Sequence, residues 1–456
     1  FLRHVELPFI TTREDAGDAI GVNVSIAAES APTQLESFCG CVDDVEASAL
    51  RCMSILRHFR SKAPSDLEGK LGAAVSRQGC NLESVDATAT GFADAFLCAL
   101  GGLGSNSVQL RYLSFGEEPS SADVLSPAAL NTALPAAKVI RICGMTWHTD
   151  GASTLFRDLR SLRRLDLFCV VCDPAPSPAF WRSLAKAVRL EELKLVSCSD
   201  LPPITNTVVP PRTLGMLRKL TISNCPRFVG SEGTWWWVWR LPALVELEVP
   251  FGARSADAAV RMLPLDTDGR PAKSLRALTL TPGADSDSSD DEDGDDSMSL
   301  LGEDYAVLLS ACTQLRMLHI GTPTFIRGPC LAAIPRPDLL ESLSFGAHVR
   351  LSPQALVRHV ARFRNLHELE LPAWQVASNA VELLGSLTHA CPFLRTASFG
   401  TESTASSLRI SVPGATVLWS RHDSTYITWS RRTTLAERWA ASSGSNTQSL
   451  PCPTND

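Results

Sequence analysis

The chain has 456 residues, 45% of them hydrophobic and 20% charged, a globular composition with apolar side chains enough for a sizeable core. Its formal charge is −7, and eight acidic groups crowd between Asp285 and Asp296. The rest is near neutral, which excludes a general nucleic-acid binder. No run of about 18 apolar residues is present to span a membrane, and the opening FLRHVELPFITTRED lacks the long apolar stretch of a secretory signal. The first residue is Phe1 rather than Met, so the expectation is a fragment or a processed form. With no signal, the 14 scattered cysteines are expected as free buried thiols in a reducing compartment, cytoplasmic or nuclear, rather than as a disulfide framework.

In chain order, residues 1–80 are expected to form degenerate N-terminal repeats or a cap. Leu2-RH-Val5-E-Leu7 and Leu35-ES-Phe38 fit a repeat loosely, and ASALRCMSILRHF reads as an amphipathic helix. Residues 81–400 form a repeat array built on L-x-x-L-x-L, as in Leu162-RR-Leu165-D-Leu167, Leu190-EE-Leu193-K-Leu195 and Leu217-RK-Leu220-T-Ile222. Its first positions fall at 82, 110, 137, 162, 190, 217, 244, 275, 315, 340, 366 and 394. Most steps lie between 25 and 28 residues, a period that scattered leucines would not keep. The 40-residue step between 275 and 315 holds the acidic insert 283–299, whose composition predicts disorder. Residues 401–439 are expected to cap the array, with VPGATVLWSRHDS as one final strand, and 440–456 to form a disordered tail.

Alternate residues of a short strand point to one side, so the leucines of each copy face a core and the intervening residues face solvent. One copy cannot bury its apolar edge alone; stacked copies can, with their strands forming a parallel sheet. Between strands, SPAFWRSLAKAVRL, GEDYAVLLSACTQL, SPQALVRHVARF and SNAVELLGSLTHACPFL repeat apolar residues at helical steps. Ser177 with Pro178 and Ser352 with Pro353 read as helix starts. The predicted fold is an α/β leucine-rich-repeat solenoid, curved, with the parallel sheet on its concave face and helices on its convex face.

Units of about 26 residues that end in Cys312-TQ-Leu315 or Cys391-PF-Leu394, or carry Cys198 or Cys225 nine positions in, resemble the cysteine-containing, ribonuclease-inhibitor-like class of leucine-rich repeats. That class resembles the substrate-binding half of F-box leucine-rich-repeat proteins. The resemblance covers roughly residues 80–400. It implies substrate recognition for a ubiquitin ligase, with a cullin-ligase adaptor reached through a segment upstream of Phe1, since residues 1–80 show no F-box module. The alternatives are a stand-alone scaffold or receptor domain, and a regulator of a small GTPase.

The candidate binding residues are those at positions three, five and seven of each unit. Arg141, Arg164, Asp166, Glu192, Lys194 and Lys219 give a mixed-charge stretch, followed by Glu246 and Glu248 and, further on, Glu368 and Glu370. Charges on the inner face of a solenoid set partner choice and association rate; the alternative is a solvated face with no partner. Trp235, Trp236, Trp237 and Trp239 would span most of a helix circumference, giving an aromatic patch at the surface or packing between units. Ser288 and Ser289 stand three residues before Asp291 and Glu292, a spacing that resembles acidic-directed phosphosites; the alternative is a solubilising loop. Cys169 and Cys172 form a lone C-x-x-C with no second pair and no histidine pair at ligand spacing, so no metal or cofactor is expected. No phosphate loop, metalloprotease helix, nucleophile elbow or dinucleotide fingerprint is present, so the expectation is a binding module rather than an enzyme.

Overall fold

Each L-x-x-L-x-L copy opens a strand two residues after its first leucine. The computed structural model describes residues 4–6, 36–41, 56–62, 83–88, 112–116, 123–124, 137–148, 156, 159–173, 178–198, 201, 203–204, 209–251, 253–263, 274–281, 305–321, 328–345, 353–371, 380–401, 415–419 and 425–430. The acidic insert, with Ser288 and Ser289, and the tail 440–456 lie outside the described residues. The chain divides into two compact units, Phe1–Leu315 and Arg316–Asp456.

In the first unit the strands are β1 (His4–Glu6), β2 (Ser37–Cys41), β3 (His58–Lys62), β4 (Ser84–Thr88), β5 (Tyr112–Gly116), β6 (Asp123–Val124), β7 (Val139–Cys143), β8 (Met145–His148), β9 (Arg164–Phe168), β10 (Val171–Asp173), β11 (Glu192–Val196), β12 (Lys219–Ser223), β13 (Glu246–Pro250) and β14 (Ala277–Thr281). All but β6, β8 and β10 pair in parallel with their neighbours in chain order. Between coils one carbonyl repeatedly takes two N–H groups of the next coil: Lys138 from Arg163 and Arg164, Arg163 from Glu191 and Glu192, Glu191 from Arg218 and Lys219. The repeat period is therefore also the period of the backbone ladder.

The leucines are the core. Leu162, Leu165 and Leu167, then Leu190, Leu193 and Leu195, then Leu217, Leu220 and Ile222 are all buried. Each such side chain contributes about 1.5–3 kcal/mol by leaving water. Leu56 and Phe59 are buried at the same two positions of an earlier unit, whose strand β3 begins at His58. This corrects the helix expected through Phe59. The copy is hard to read because Ser61 stands where the third leucine belongs.

The returns between ladder strands hold short strands as well as the expected helices. After β5, β7 and β9 the chain adds the short strands β6, β8 and β10, which form a separate parallel sheet, and a helix follows β10 before β11. The turn onto it is immediate. Gly144 (φ 62°) separates β7 from β8, and Cys169 (φ 52°) stands at the same eighth position after β9. Ser197 (φ 53°) and Asn224 (φ 49°) occupy that position in the next two units. Glycine and asparagine suit the left-handed conformation; cysteine and serine adopt it against their preference. Cys172 therefore falls in β10, and Cys169 is a turn residue.

Helices appear further along: Ala179–Leu184, Pro226–Val229, Glu232–Val238, Ala253–Arg261 and residues 305–311. The first is capped at Pro178 without a side-chain bond, one residue later than the Ser177 start expected. Gly233 is required in its helix, because a Cβ there would stand 2.6 Å from the Ile204 carbonyl oxygen.

In the second unit β15 (Met317–Ile320), β16 (Ser342–Phe345), β17 (Glu368–Leu371) and β18 (Thr396–Thr401) form a parallel ladder. Helices Gly328–Ala332, Pro353–Val360 and Ala380–Ala390 connect the strands, with Pro353 in the first helical position as its sequence predicts. The single final strand expected is two, β19 (Ala415–Trp419) and β20 (Thr425–Ser430). β20 runs antiparallel to both β18 and β19, so it covers what would be an unpaired edge of β18. Leucines buried on one side of a parallel ladder at a 25- to 28-residue period, with helices and short strands as returns, make this an α/β leucine-rich-repeat solenoid.

Candidate protein-interaction face

Burial of the fourth and sixth positions turns the third, fifth and seventh outward, and the parallel register lines them into rows. Along the third-position row Arg164, Glu192, Lys219 and Glu246 are direct partners on successive strands, so the charge alternates in sign. Arg164 Nη1 lies 3.3 Å from Glu192 Oε2, and Lys219 Nζ lies 3.0 Å from Glu246 Oε2. One position earlier, Arg163 and Glu191 pair at 3.2 Å. Opposite charges directly across a sheet stabilise modestly and like charges would repel. Being half in solvent, each pair contributes about 0–1 kcal/mol.

The fifth-position row runs Arg141, Asp166, Lys194, Thr221 and Glu248. Asp166 departs from the outward, solvent-facing placement expected of it: it is buried, gripped by its own strand neighbour Arg164. Nε donates to Oδ1 at 3.0 Å, and Nη2 lies 3.0 Å from Oδ2. Thr221 donates its hydroxyl to Glu248 Oε2 at 3.3 Å. In the seventh-position row Phe168 sits between Cys143 and Val196. The Arg141 guanidinium lies 4.5 Å from the centre of its ring and the Lys194 ammonium 5.3 Å, one from each flanking strand. Beside Arg141, burial pushes the Cys143 thiol up, an effect that the guanidinium partly offsets.

In the second unit, the fifth-position row is His319, Ser344, Glu370 and Ser398. Ser344 Oγ donates to Glu370 Oε2 at 2.7 Å and lies 2.8 Å from His319 Nδ1. With its only proton committed to Glu370, the hydroxyl can meet His319 only as an acceptor, so Nδ1 carries the hydrogen. Glu368 stands exposed at the third position.

The structure thus brings Arg141, Arg164, Asp166, Glu192 and Lys194 together, with Lys219, Glu246 and Glu248 continuing the same rows; Glu368 and Glu370 belong to the second unit. Phe168 is the member that the charge map overlooked, although its seventh position has the outward parity.

Of the two arrangements open to the tryptophan run, a surface patch or packing between units, the structure shows packing for three of the four rings. Trp235, Trp237 and Trp239 are buried; Trp235 and Trp239 stack with centroids 5.5 Å apart. Trp235 Nε1 donates to the Val229 carbonyl at 2.7 Å and Trp239 Nε1 to that of Ala259 at 2.9 Å. Neighbouring segments cover the helix on several sides, so rings spread round its circumference are buried at three of the four positions. Trp236 alone is half exposed, with the Arg240 guanidinium 4.3 Å over its ring.

The cysteines that mark the repeat class are free and buried: Cys198 and Cys225 after their strands, Cys312 and Cys391 before theirs. The neighbouring Cys225 thiol and burial hold the Cys198 thiol well above the ordinary range, and its Sγ donates to the Val196 carbonyl at 3.4 Å. Among the described residues no three His, Cys, Asp or Glu side chains are grouped to hold a metal ion, and no helix is long and apolar enough to cross a membrane.

No protein-family model matches the chain, and no curated protein matches it in sequence. Among solved structures it is similar to an internalin of Listeria monocytogenes, at 13% identity and a TM-score of 0.40 over 71% of this chain and 76% of that one.

Proposed function

We propose that this chain is a protein-recognition module that binds its partner on the outward face of the sheet, as the substrate-receptor arm of a ubiquitin ligase. The observation that carries the first part is the face itself. Side chains from successive strands are held at strand spacing over a core of stacked leucines, and their charged and aromatic ends remain accessible. Loops would hold such groups loosely; a ladder with two N–H groups on one carbonyl at each step holds them in a fixed array. The ubiquitin reading is supported by the cysteines. Cys198, Cys225, Cys312 and Cys391 are fully buried at the two repeat positions that resemble those of F-box leucine-rich-repeat proteins.

Two experiments test the two parts. A photo-crosslinking amino acid at Thr279, on the outward face, is expected to capture the partner, and one at Arg182, on an exposed helix surface, is not; the reverse pattern overturns the face. Affinity purification of the full-length gene product with mass spectrometry is expected to recover a cullin-ligase adaptor. A set of companions without one overturns the ubiquitin part and leaves a recognition scaffold.

A further inference from the structure

Most charges on the rows between β7 and β13 are already answered. Arg164 is bound by Asp166 and Glu192, Lys219 by Glu246, and Glu248 by the Thr221 hydroxyl. Arg141 and Lys194 differ: among the described residues neither has a carboxylate within ion-pairing distance, and both rest on the ring of Phe168. We infer that Arg141, Phe168 and Lys194 form a carboxylate-binding slot that takes an acidic peptide segment of the partner. The inference rests on the reading of the outward face as the recognition surface and names the partner's chemistry there.

Three features favour a carboxylate. An aromatic ring is electron-rich on its faces and electropositive at its edge. With cations drawn to Phe168 from both flanking strands, its half-exposed side chain offers solvent an electropositive slot rather than an apolar one. Secondly, the Arg141 Nε is buried and has no hydrogen-bond acceptor. A partly desolvated cation without a counter-charge is costly, and a carboxylate on the outer guanidinium edge relieves that cost. Thirdly, Asp166, the carboxylate in register between Arg141 and Lys194, is held at two points by Arg164, so among the described residues no carboxylate pairs with the two cations. Two cations across three strands suit one or two acidic side chains. A nucleic-acid backbone requires a longer basic track.

The test uses the full chain and two fluorescent peptides, one of alternating glutamate and glycine and one of alternating glutamine and glycine, in low-salt buffer. The glutamate peptide is expected to bind at least about tenfold more tightly than the glutamine peptide. Arg141→Gln with Lys194→Gln should remove that preference, and Phe168→Leu should weaken it. Arg182→Gln, which removes an exposed cation from a helix away from the outward face, should leave binding within about twofold. Circular dichroism melts confirm that each variant is folded. Equal binding of the two peptides, or a preference unmoved by Arg141→Gln/Lys194→Gln, overturns the slot. Neither result touches the Thr279 crosslink, so failure of the slot and failure of the face are told apart.

Discussion

Arg164 and Asp166, two residues apart on β9, form a two-point pair in which a half-exposed guanidinium lies over a buried carboxylate. The charge that most needs a partner is thus the one the chain supplies from the next outward position. Arg164→Met keeps the aliphatic stem and removes the donors. It is expected to cost about 1–3 kcal/mol in urea unfolding, because Asp166 keeps its burial and loses its partner. Arg164→Met with Asp166→Leu should recover most of that loss; a double variant no better than the single would contradict the account.

Leu193, 1% exposed, occupies the central apolar position of β11 and meets Leu165 and Leu220 in register. Leu193→Asp places a carboxylate in the leucine stack and is expected to cost more than about 4 kcal/mol, unfolding part of the array. An unchanged melting curve would sink the register.

The buried indoles can be ranked against one another. Trp235 Nε1 has an acceptor in Val229, while Trp237 Nε1 is buried without a partner. Trp235→Phe strands the Val229 carbonyl, whereas Trp237→Phe removes an unsatisfied donor. Trp235→Phe is therefore expected to be the more destabilising by about 1 kcal/mol, measured by chemical denaturation. Trp236→Ala should cost less than either Trp235→Ala or Trp237→Ala, for which about 3–5 kcal/mol is expected.

Ser197 holds φ 53° in the column that Gly144 begins. Ser197→Gly relieves the left-handed backbone and sacrifices an exposed hydrogen bond from Asn224. A net gain of about 0.5–1 kcal/mol is expected, read as a higher melting temperature. A lower one would mean that the Asn224 contact outweighs the backbone term.

Burial raises the Cys312 thiol from 9.0 to about 12 and the Cys391 thiol from 9.0 to about 11. Above pH 9 the unfolded chain sheds these protons and the folded chain keeps them. Their contribution is therefore fully present below pH 9 and is lost as pH rises toward 11 and 12, each thiol contributing a slope of up to roughly 1 kcal/mol per pH unit. Denaturation between pH 8 and pH 11 should show Cys312→Ala with a shallower alkaline loss than the parent chain. Parallel curves would indicate that the thiol ionises in place.

The repeat was legible from sequence because its cause is local and periodic. A leucine at the first, fourth and sixth position is an apolar strand edge wherever it occurs, and Leu162, Leu190 and Leu217 announce their strands without help. The outward charges were legible by the same parity. Their state was not, since whether Asp166 reaches solvent depends on the rotamer of Arg164, and whether Lys194 is answered depends on what the neighbouring coil places beside it. Phe168 lay hidden for the same reason: an outward phenylalanine is unremarkable until cations from two other coils rest on it.

What the sequence by itself determined is the period, the strand at each copy and the side of the sheet that is buried, because these follow from residue type and spacing along the chain. Tertiary structure alone decided that β6, β8 and β10 form a second small sheet, that three of the four tryptophans are core, and that Arg141 and Lys194 have no carboxylate at ion-pairing distance among the described residues. Each of these depends on which side chains the neighbouring coils bring alongside, and that is a property of stacking rather than of any one repeat.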